Sequence, residues 1–351
     1  MSVPQTQREY RLPAGAAKGS FDALTLQKDV AVPKAEKGQV LVKIHAVSLN
    51  YRDLMIVKGI YPLPLKENPV PCSDGAGEVV AVGEGVSDFK VGDKVCGIFN
   101  QEHQDGTITM KGIGSGLGGG LDGCLTEYRA FAEYGLVKFP EHLSYEQAAT
   151  LPCAMVTAWN ALYGAVPLLP GQTVVVQGTG GVSICALQLA KAAGARVIAT
   201  SSSDDKLKIA KDLGAQDLIN YKNTPEWQEE VLKLTNGEGA HHIVEVGGAG
   251  TLTKSLQCVV LGGHIHAIGF VAGAGSPNDP PVSMLALMRL ANLHGILVGS
   301  KRMFEDMNKH IAQSNIVPIV DKVFKFEEAK EAFEYLESQK HVGKVVVKVS
   351  A

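Results

Sequence analysis

Apolar and polar residues alternate in short runs through the first part of the chain. "QVLVKIHAVSL" changes face at almost every step, the period-two pattern of a half-buried strand. "AGEVVAVGEGV" reads as a strand running into a Gly-bearing turn, and "VGDKVCGIF" sets a Gly-Asp turn before another short strand. The stretch 20–140 is therefore expected to be β-rich. The alternation fails between Asn100 and Gly123, where "NQEHQDGTITMKGIGSGLGGGLDG" is a Gly-rich loop without a period. Loops of that length are usually lids or mobile segments; a substrate gate and a bland surface insertion both fit.

From about residue 170 the pattern changes to short apolar strands alternating with helices. "TVVVQG" precedes a helical "VSICALQLAKAAG", then "RVIATS", the helical "DKLKIAKDLGA" and "DLINY". A helix opening "TPEWQEEVLKL", with Thr224 as cap and Pro225 in its first position, leads to "HHIVEVGG". Continuous apolar strands alternating with helices predict an α/β fold with a doubly wound parallel sheet. Near the end, Phe326, Ala329, Phe333 and Leu336 repeat at helical spacing before a last strand, "KVVVKV".

Composition narrows the function classes. A formal charge of −3 leaves no basic excess for a nucleic-acid or anionic-membrane partner. No apolar run approaches the roughly 18 residues that span a bilayer, and "MSVPQTQREYRLPAG" lacks the apolar core of a secretory signal. The six cysteines are scattered with no C-x-x-C pair, which suits reduced thiols in the cytoplasm. The 39 glycines exceed the usual ~7% and imply many turns or close backbone approaches.

"VVVQGTGGVSICALQLA" sits between a strand and a helix, where a dinucleotide-binding loop belongs. Gly178 permits the tight turn, and Thr179, Gly180, Gly181 and Val182 carry the backbone past a pyrophosphate at the helix start. The third glycine position holds Ser183. The next strand ends in Thr200, Ser201, Ser202 and Ser203, without the carboxylate that would bind a ribose hydroxyl and repel a 2′-phosphate. Ser201 and Ser202 can donate to phosphate, Lys206 can supply a cation, and Tyr221 is placed to cover the adenine or touch the phosphate. NADPH is expected over NADH, with Asp204 and Asp205 serving as helix N-cap residues.

The whole chain resembles the medium-chain dehydrogenase/reductase superfamily. "SLNYRDLMIVKGIYP", "DGAGEVVAVGEGVSDFKVGDKV", "ATLPCAMVTAW", "GTGGVSICALQLAKAAGA" and "GKVVVKV" carry the resemblance in the expected order. It is strongest to the zinc-independent quinone oxidoreductase-like and zinc-type alcohol dehydrogenase-like branch, also known as enoyl reductase domains. The resemblance implies a GroES-like catalytic domain over 1–156, a Rossmann domain over 157–298 and a return to the catalytic domain over 299–351. It also implies an active site in the cleft between them. In zinc-using relatives the catalytic metal is held by Cys, His and Cys, with an acidic residue beside the His. These positions fall on Asn50, Ser73 and Cys153, with Asp74 as the acidic neighbour. One ligand in three survives, so no zinc is expected.

Without a Lewis acid, hydrogen-bond donors must stabilise charge on a substrate oxygen. The polar run that ends "AVSLNYRDLM" supplies candidates. Asn50 is expected to face the nicotinamide and to donate to substrate or hold the ribose. Arg52 falls where zinc relatives carry a proton-relay hydroxyl; it either stabilises negative charge or pairs with Asp53. Tyr61 matches a tyrosine lining the substrate site of quinone oxidoreductase-like relatives, or packs beside Pro62. Met55 stands where those relatives often have a further tyrosine. Thr157, Gly269 and Phe270 are expected to touch the cofactor. His241, His242, His264 and His266 read as structural rather than metal-binding.

The expectation is thus a metal-independent, NADPH-dependent oxidoreductase acting on a small enone, quinone or carbonyl substrate. An NADP-dependent alcohol dehydrogenase or aldehyde reductase is the alternative, and a cofactor-binding protein with little activity is a third reading. Relatives pair through the last strand of the cofactor domain, so the apolar "NLHGILVG" at 292–299 implies a homodimer.

Overall fold

The computed structural model describes residues 3–13, 19–273, 275–276 and 279–350. The chain divides into two compact units: Met1–Val156 with Gly299–Ala351, and Thr157–Val298. The first part carries strands β1 (Thr6–Arg11), β2 (Thr25–Ala31), β3 (Gln39–Ser48), β4 (Asp74–Val82), β5 (Lys94–Gly97), β6 (Tyr128–Ala132) and β7 (Leu136–Lys138). The second unit carries β8 (Thr173–Gln177), β9 (Arg196–Ser201), β10 (Asp217–Asn220), β11 (Ala240–Glu245), β12 (Val259–Ala267) and β13 (Asn292–Gly295). The chain then returns to the first unit with β14 (Val320–Lys325) and β15 (Lys344–Lys348).

In the first unit β1 and β2 form a separate pair, and the main sheet runs β14-β15-β3-β4-β5-β7 with β6 also paired to β3. Its core gathers Val40, Val42, Ile44 and Val47 of β3 with Phe326, Phe333, Val345 and Val347 of the returning segment. The register sets Val346 opposite Ser48 and Val347 opposite Val47. That long-range pairing brings the start of β15 to the end of β3.

The second unit is a six-stranded sheet of order β10-β9-β8-β11-β12-β13, parallel throughout. Val174, Val175 and Val176 are buried, as expected of a central strand covered on both faces. Crossover helices Gly181–Ala192, Asp204–Asp212, Trp227–Leu234 and Ala249–Cys258 link successive strands. The order reverses beside β8, the topological switch where doubly wound sheets bind ligands.

Three local expectations are corrected. The helix expected from Thr224 begins at Trp227, after Glu226. The N–H groups of Asn223 and Thr224 both turn back to the Asn220 carbonyl, so a turn consumes the residues that would have started it. The helix after β9 is capped by Ser203, whose hydroxyl accepts from the Lys206 N–H; Asp204 and Asp205 lie in its first turn, where carboxylates favour the helix dipole. The stretch 100–123 is not an open loop. It holds a helix at Met110–Gly114 and bridges Asn100 to Gly116 and Leu117 to Leu121, with Leu117 wholly buried.

Candidate functional site

Each unit contributes a polar constellation. In the first, β3 ends at Ser48 and the helix Tyr51–Val57 starts after Asn50. The Asp53 carboxylate accepts from the Asn50 backbone N–H at 2.9 Å, closing the helix start. The Asn50 side chain turns elsewhere. Its Nδ2 donates to Ser73 Oγ at 3.3 Å, and the Ser73 hydroxyl donates to Asp74 at 2.7 Å. The Asp74 carboxylate also accepts from the Cys153 backbone N–H at 3.2 Å. Asn50, Ser73, Asp74 and Cys153 are therefore one cluster, as the motif carry-over places them.

The cluster holds a residue that the sequence reading passed over. Lys344, the first residue of β15, is 4% exposed; its ammonium donates to the Leu49 carbonyl at 2.6 Å and to Asn50 Oδ1. Burial pushes the Asp74 carboxyl above its ordinary range, and the Lys344 charge is the largest influence opposing that. Burial and the Asp74 carboxylate also push the Cys153 thiol up, so it stays protonated. Asp53, wholly buried, is raised to about 6, with Arg52 opposing the rise.

These donors do not fit a catalytic zinc. Such a site needs three N, S or carboxylate ligands able to turn lone pairs to the ion. Here the amide oxygen is taken by an ammonium, the hydroxyl is committed to Asp74, and Cys153 alone of the three positions offers a soft donor. Among the described residues no group of three His, Cys, Asp or Glu side chains could hold a metal.

Arg52 lies 3.5 Å from Asp53, donates to the Leu117 carbonyl at 2.7 Å and faces the rings of Phe99 and Tyr61. Its Nε is 3.4 Å from the Tyr61 hydroxyl. The Gly-rich stretch cradles this guanidinium: a Cβ at Gly119 would stand 2.3 Å from an Arg52 nitrogen. Arg52 and Tyr61 thus come together, while Asn50 belongs to the neighbouring hydrogen-bond chain. A separate cavity of about 390 Å³ in this unit, lined by Glu9, Arg11, Lys66, Asp122 and Arg129 among others, includes none of these three.

In the second unit Gly178 adopts φ +73°, the left-handed turn expected of a dinucleotide loop, and Gly180 caps the helix Gly181–Ala192 without a side chain. The helix N-terminus thus presents backbone N–H groups of the kind that bind phosphate. Ser183 fits the third glycine position because its hydroxyl donates to the Gln177 carbonyl at 2.6 Å, tying helix to strand. Thr179 and Val182 flank the loop, Thr179 buried. At the end of β9, Thr200 and Ser201 are buried, Ser202 and Lys206 are half-buried, and Tyr221 is 41% exposed. The Tyr221 N–H donates to the Ser201 carbonyl, so β9 and β10 deliver these groups side by side. Thr157 is buried in the helix Val156–Trp159. Gly269 and Phe270 lie against the Val246–Gly248 turn, with Phe270 60% exposed.

Gln177 and Glu245, at the carboxyl ends of β8 and β11, were not foreseen. Gln177 Nε2 donates to Glu245 at 2.7 Å, and Glu245 accepts from the Gly247 and Gly248 N–H groups and the Thr251 hydroxyl. This buried carboxylate shapes the turn on which Phe270 rests. The only sequence signal was its place at the end of an apolar strand before a Gly pair.

The histidines gather on β11, β12 and β13. His242 Nδ1 and His266 Nε2 are 3.0 Å apart, and the rings of His264 and His294 lie within 6.5 Å of them. Burial lowers His242 to about 4 and His266 to about 3, so both are neutral at ordinary pH. His241 stands apart, accepting from the Thr173 N–H.

Residues 36–141 match the alcohol dehydrogenase GroES-like domain family, and residues 181–313 the zinc-binding dehydrogenase family. The chain is 52% identical over 332 residues to a zinc-type alcohol dehydrogenase-like protein of Schizosaccharomyces pombe, covering 94% of this chain and 96% of that one. It is 32% identical to a 2-methylene-furan-3-one reductase of Solanum lycopersicum, covering 94% of this chain and 76% of the relative. A crystal structure of an NAD-dependent alcohol dehydrogenase aligns with TM-score 0.87 and 32% identity, over 98% of this chain and all of the other. With its GroES-like and Rossmann parts and these relatives, the chain belongs to the medium-chain dehydrogenase/reductase superfamily, the NAD(P)-dependent reductases and dehydrogenases.

Proposed function

We propose that this protein is a metal-independent, NADPH-dependent reductase of activated double bonds or quinones. One observation carries the reading: the positions where zinc-using relatives hold their metal form a hydrogen-bonded cluster of amide, hydroxyl, carboxylate and ammonium, with Arg52 and Tyr61 alongside. The bound nicotinamide supplies the hydride. Gly178, Thr179, Gly180, Gly181 and Val182 hold the pyrophosphate; Ser201, Ser202, Lys206 and Tyr221 hold the 2′-phosphate and adenine; Thr157, Gly269 and Phe270 flank the nicotinamide half. Asn50 and Tyr61 offer N–H and O–H donors to a substrate oxygen, and Arg52 adds a positive field. Such donors suffice for an enolate or hydroquinone oxyanion, which is far less basic than the alkoxide from a simple carbonyl. The enone-derived name of the tomato relative supports this choice.

The second reading is an alcohol dehydrogenase or aldehyde reductase, favoured by the names of the yeast relative and the aligned crystal structure. A cofactor-binding protein with little activity would bind NADPH and turn over nothing. The protein works as a homodimer through residues 292–299, where β13 is the edge of its sheet and Leu293 and Leu297 are exposed. Six free cysteines suit a cytoplasmic setting. The test is NADPH oxidation against enones, quinones, aldehydes and ketones, with and without chelator, repeated with NADH. Turnover of enones or quinones that ignores chelator is expected; chelator-sensitive turnover sinks the reading.

A further inference from the structure

A strand turns residues i, i+2 and i+4 to one face. In β1 those residues are Gln7, Glu9 and Arg11, and all three line the cavity of about 390 Å³ in the first unit. Gln7 and Glu9 are only 5% and 4% exposed. The covered face of a strand is ordinarily apolar, so a buried polar face calls for partners.

The protein itself supplies part of them. The Gln7 amide oxygen accepts from the Tyr128 N–H at 2.7 Å and from the Thr126 hydroxyl at 3.0 Å. A backbone N–H only donates, so that end is the carbonyl and the amide cannot turn over. The Gln7 amino group is left with no acceptor among the described residues.

The charges of the lining are also partly answered. Arg11 pairs with Glu9 and Asp122, and Lys66 pairs with Asp122. Arg129, on β6, is the remaining cation. Its Nη1 donates to the Gly123 carbonyl at 2.8 Å, its Nε is buried with no partner, and it forms no ion pair among the described residues. Burial opposes this charge more than any neighbour supports it. Three cations facing two carboxylates leave the cavity short of one negative charge.

That deficit suits a monoanion better than a dianionic phosphate, and the planar guanidinium fork matches a carboxylate. The volume lies in the range of small-molecule sites and is far more than a bare oxyanion fills. Val30, Pro33, Val70 and Leu121 give it an apolar wall for the rest of a ligand.

We propose that this cavity is a second ligand site, one that takes a small monocarboxylate with an apolar body, its carboxylate held by Arg129 and the Gln7 amino group. Asn50, Arg52 and Tyr61 lie outside the cavity, so the site stands apart from the chemistry proposed above.

Calorimetric titration of the full chain, saturated with NADP⁺, tests this with 4-phenylbutyrate as the probe. Saturable binding with Kd of about 1 mM or tighter is expected. The neutral 4-phenylbutyramide should bind about 10-fold more weakly. Arg129→Met should weaken 4-phenylbutyrate about 10-fold or more, whereas Arg52→Met should change it by less than about 2-fold. Gln7→Glu keeps the oxygen that holds Tyr128 and puts an anionic oxygen where the amino group stood. It should also cost about 10-fold, and it decides the matter should Arg129→Met not fold. Four outcomes overturn the site: no saturable binding up to about 20 mM, equal affinity for acid and amide, inorganic phosphate binding as tightly as 4-phenylbutyrate, or a loss that follows Arg52→Met in place of Arg129→Met and Gln7→Glu.

Discussion

The first unit buries two carboxylates, an amide and an ammonium at the end of β3; the second buries a pair of imidazoles with two more beside them on β11, β12 and β13. The first cluster keeps charge inside by answering it: Asp74 has the Ser73 hydroxyl, the Cys153 N–H and the Lys344 field. The second keeps charge out. His242 and His266 share one hydrogen bond, and burial holds both rings neutral. A charged cluster of this kind orients donors and acts on a ligand's charge. A neutral imidazole pair fills space at neutral pH and becomes a liability in acid.

The sharpest way to break the first cluster is to remove one of its charges. Asp74→Ala leaves Lys344 buried without its main counter-charge, and a loss of about 3–5 kcal/mol in urea unfolding is expected. A loss under about 1 kcal/mol would mean that the cluster is not charge-balanced as described.

Acid should break the second cluster next. Both imidazoles have folded pKa values below the ordinary 6.5, so their unfolded forms take up protons first. Stability of the second unit is therefore full above pH 6.5 and falls as pH drops toward 4, by about 2–5 kcal/mol. Hydrogen exchange resolved by unit should show this loss in 157–298, and His242→Phe with His266→Met should flatten it.

The smallest effect has the opposite sign. Asp53 is raised from 3.8 to about 6, so its folded form binds the proton more tightly and its contribution to stability grows as pH falls from 6 toward 4. Asp53→Asn should erase that slope while changing stability at pH 7.5 by no more than about 1 kcal/mol, because it trades the Arg52 pair for relief of a buried charge. A slope that survives in Asp53→Asn would place the titration on another group.

The sequence made the second unit easier to read than the first. Strand, Gly-rich turn and helix are contiguous around Gly178, so the dinucleotide loop announces itself locally. Lys344 has no such local signal. A lysine heading "KVVVKV" reads as the solvent end of a strand, and its burial follows from β15 pairing with β3 across 295 positions between Lys344 and Leu49. The same is true of Gly119, which reads as flexibility until Arg52 is seen against it. His294 joins its partners only through the β12–β13 register, which sets it opposite His266. Glu245 shows the reverse case: a charged residue closing an apolar strand was visible, but its ring of N–H donors depends on how the following turn folds.

The interruption of the first unit by the second has a consequence for biosynthesis. As the chain leaves the ribosome, Asp53 and Asp74 emerge long before Lys344, and the whole of 157–298 is made in between. The contiguous unit can collapse on schedule, whereas the carboxylates must wait in water for their cation. Assembly of the polar cluster is thus a late event, and a ribosome stalled short of Lys344 would hold a nascent chain with a finished nucleotide fold and an unfinished chemical one.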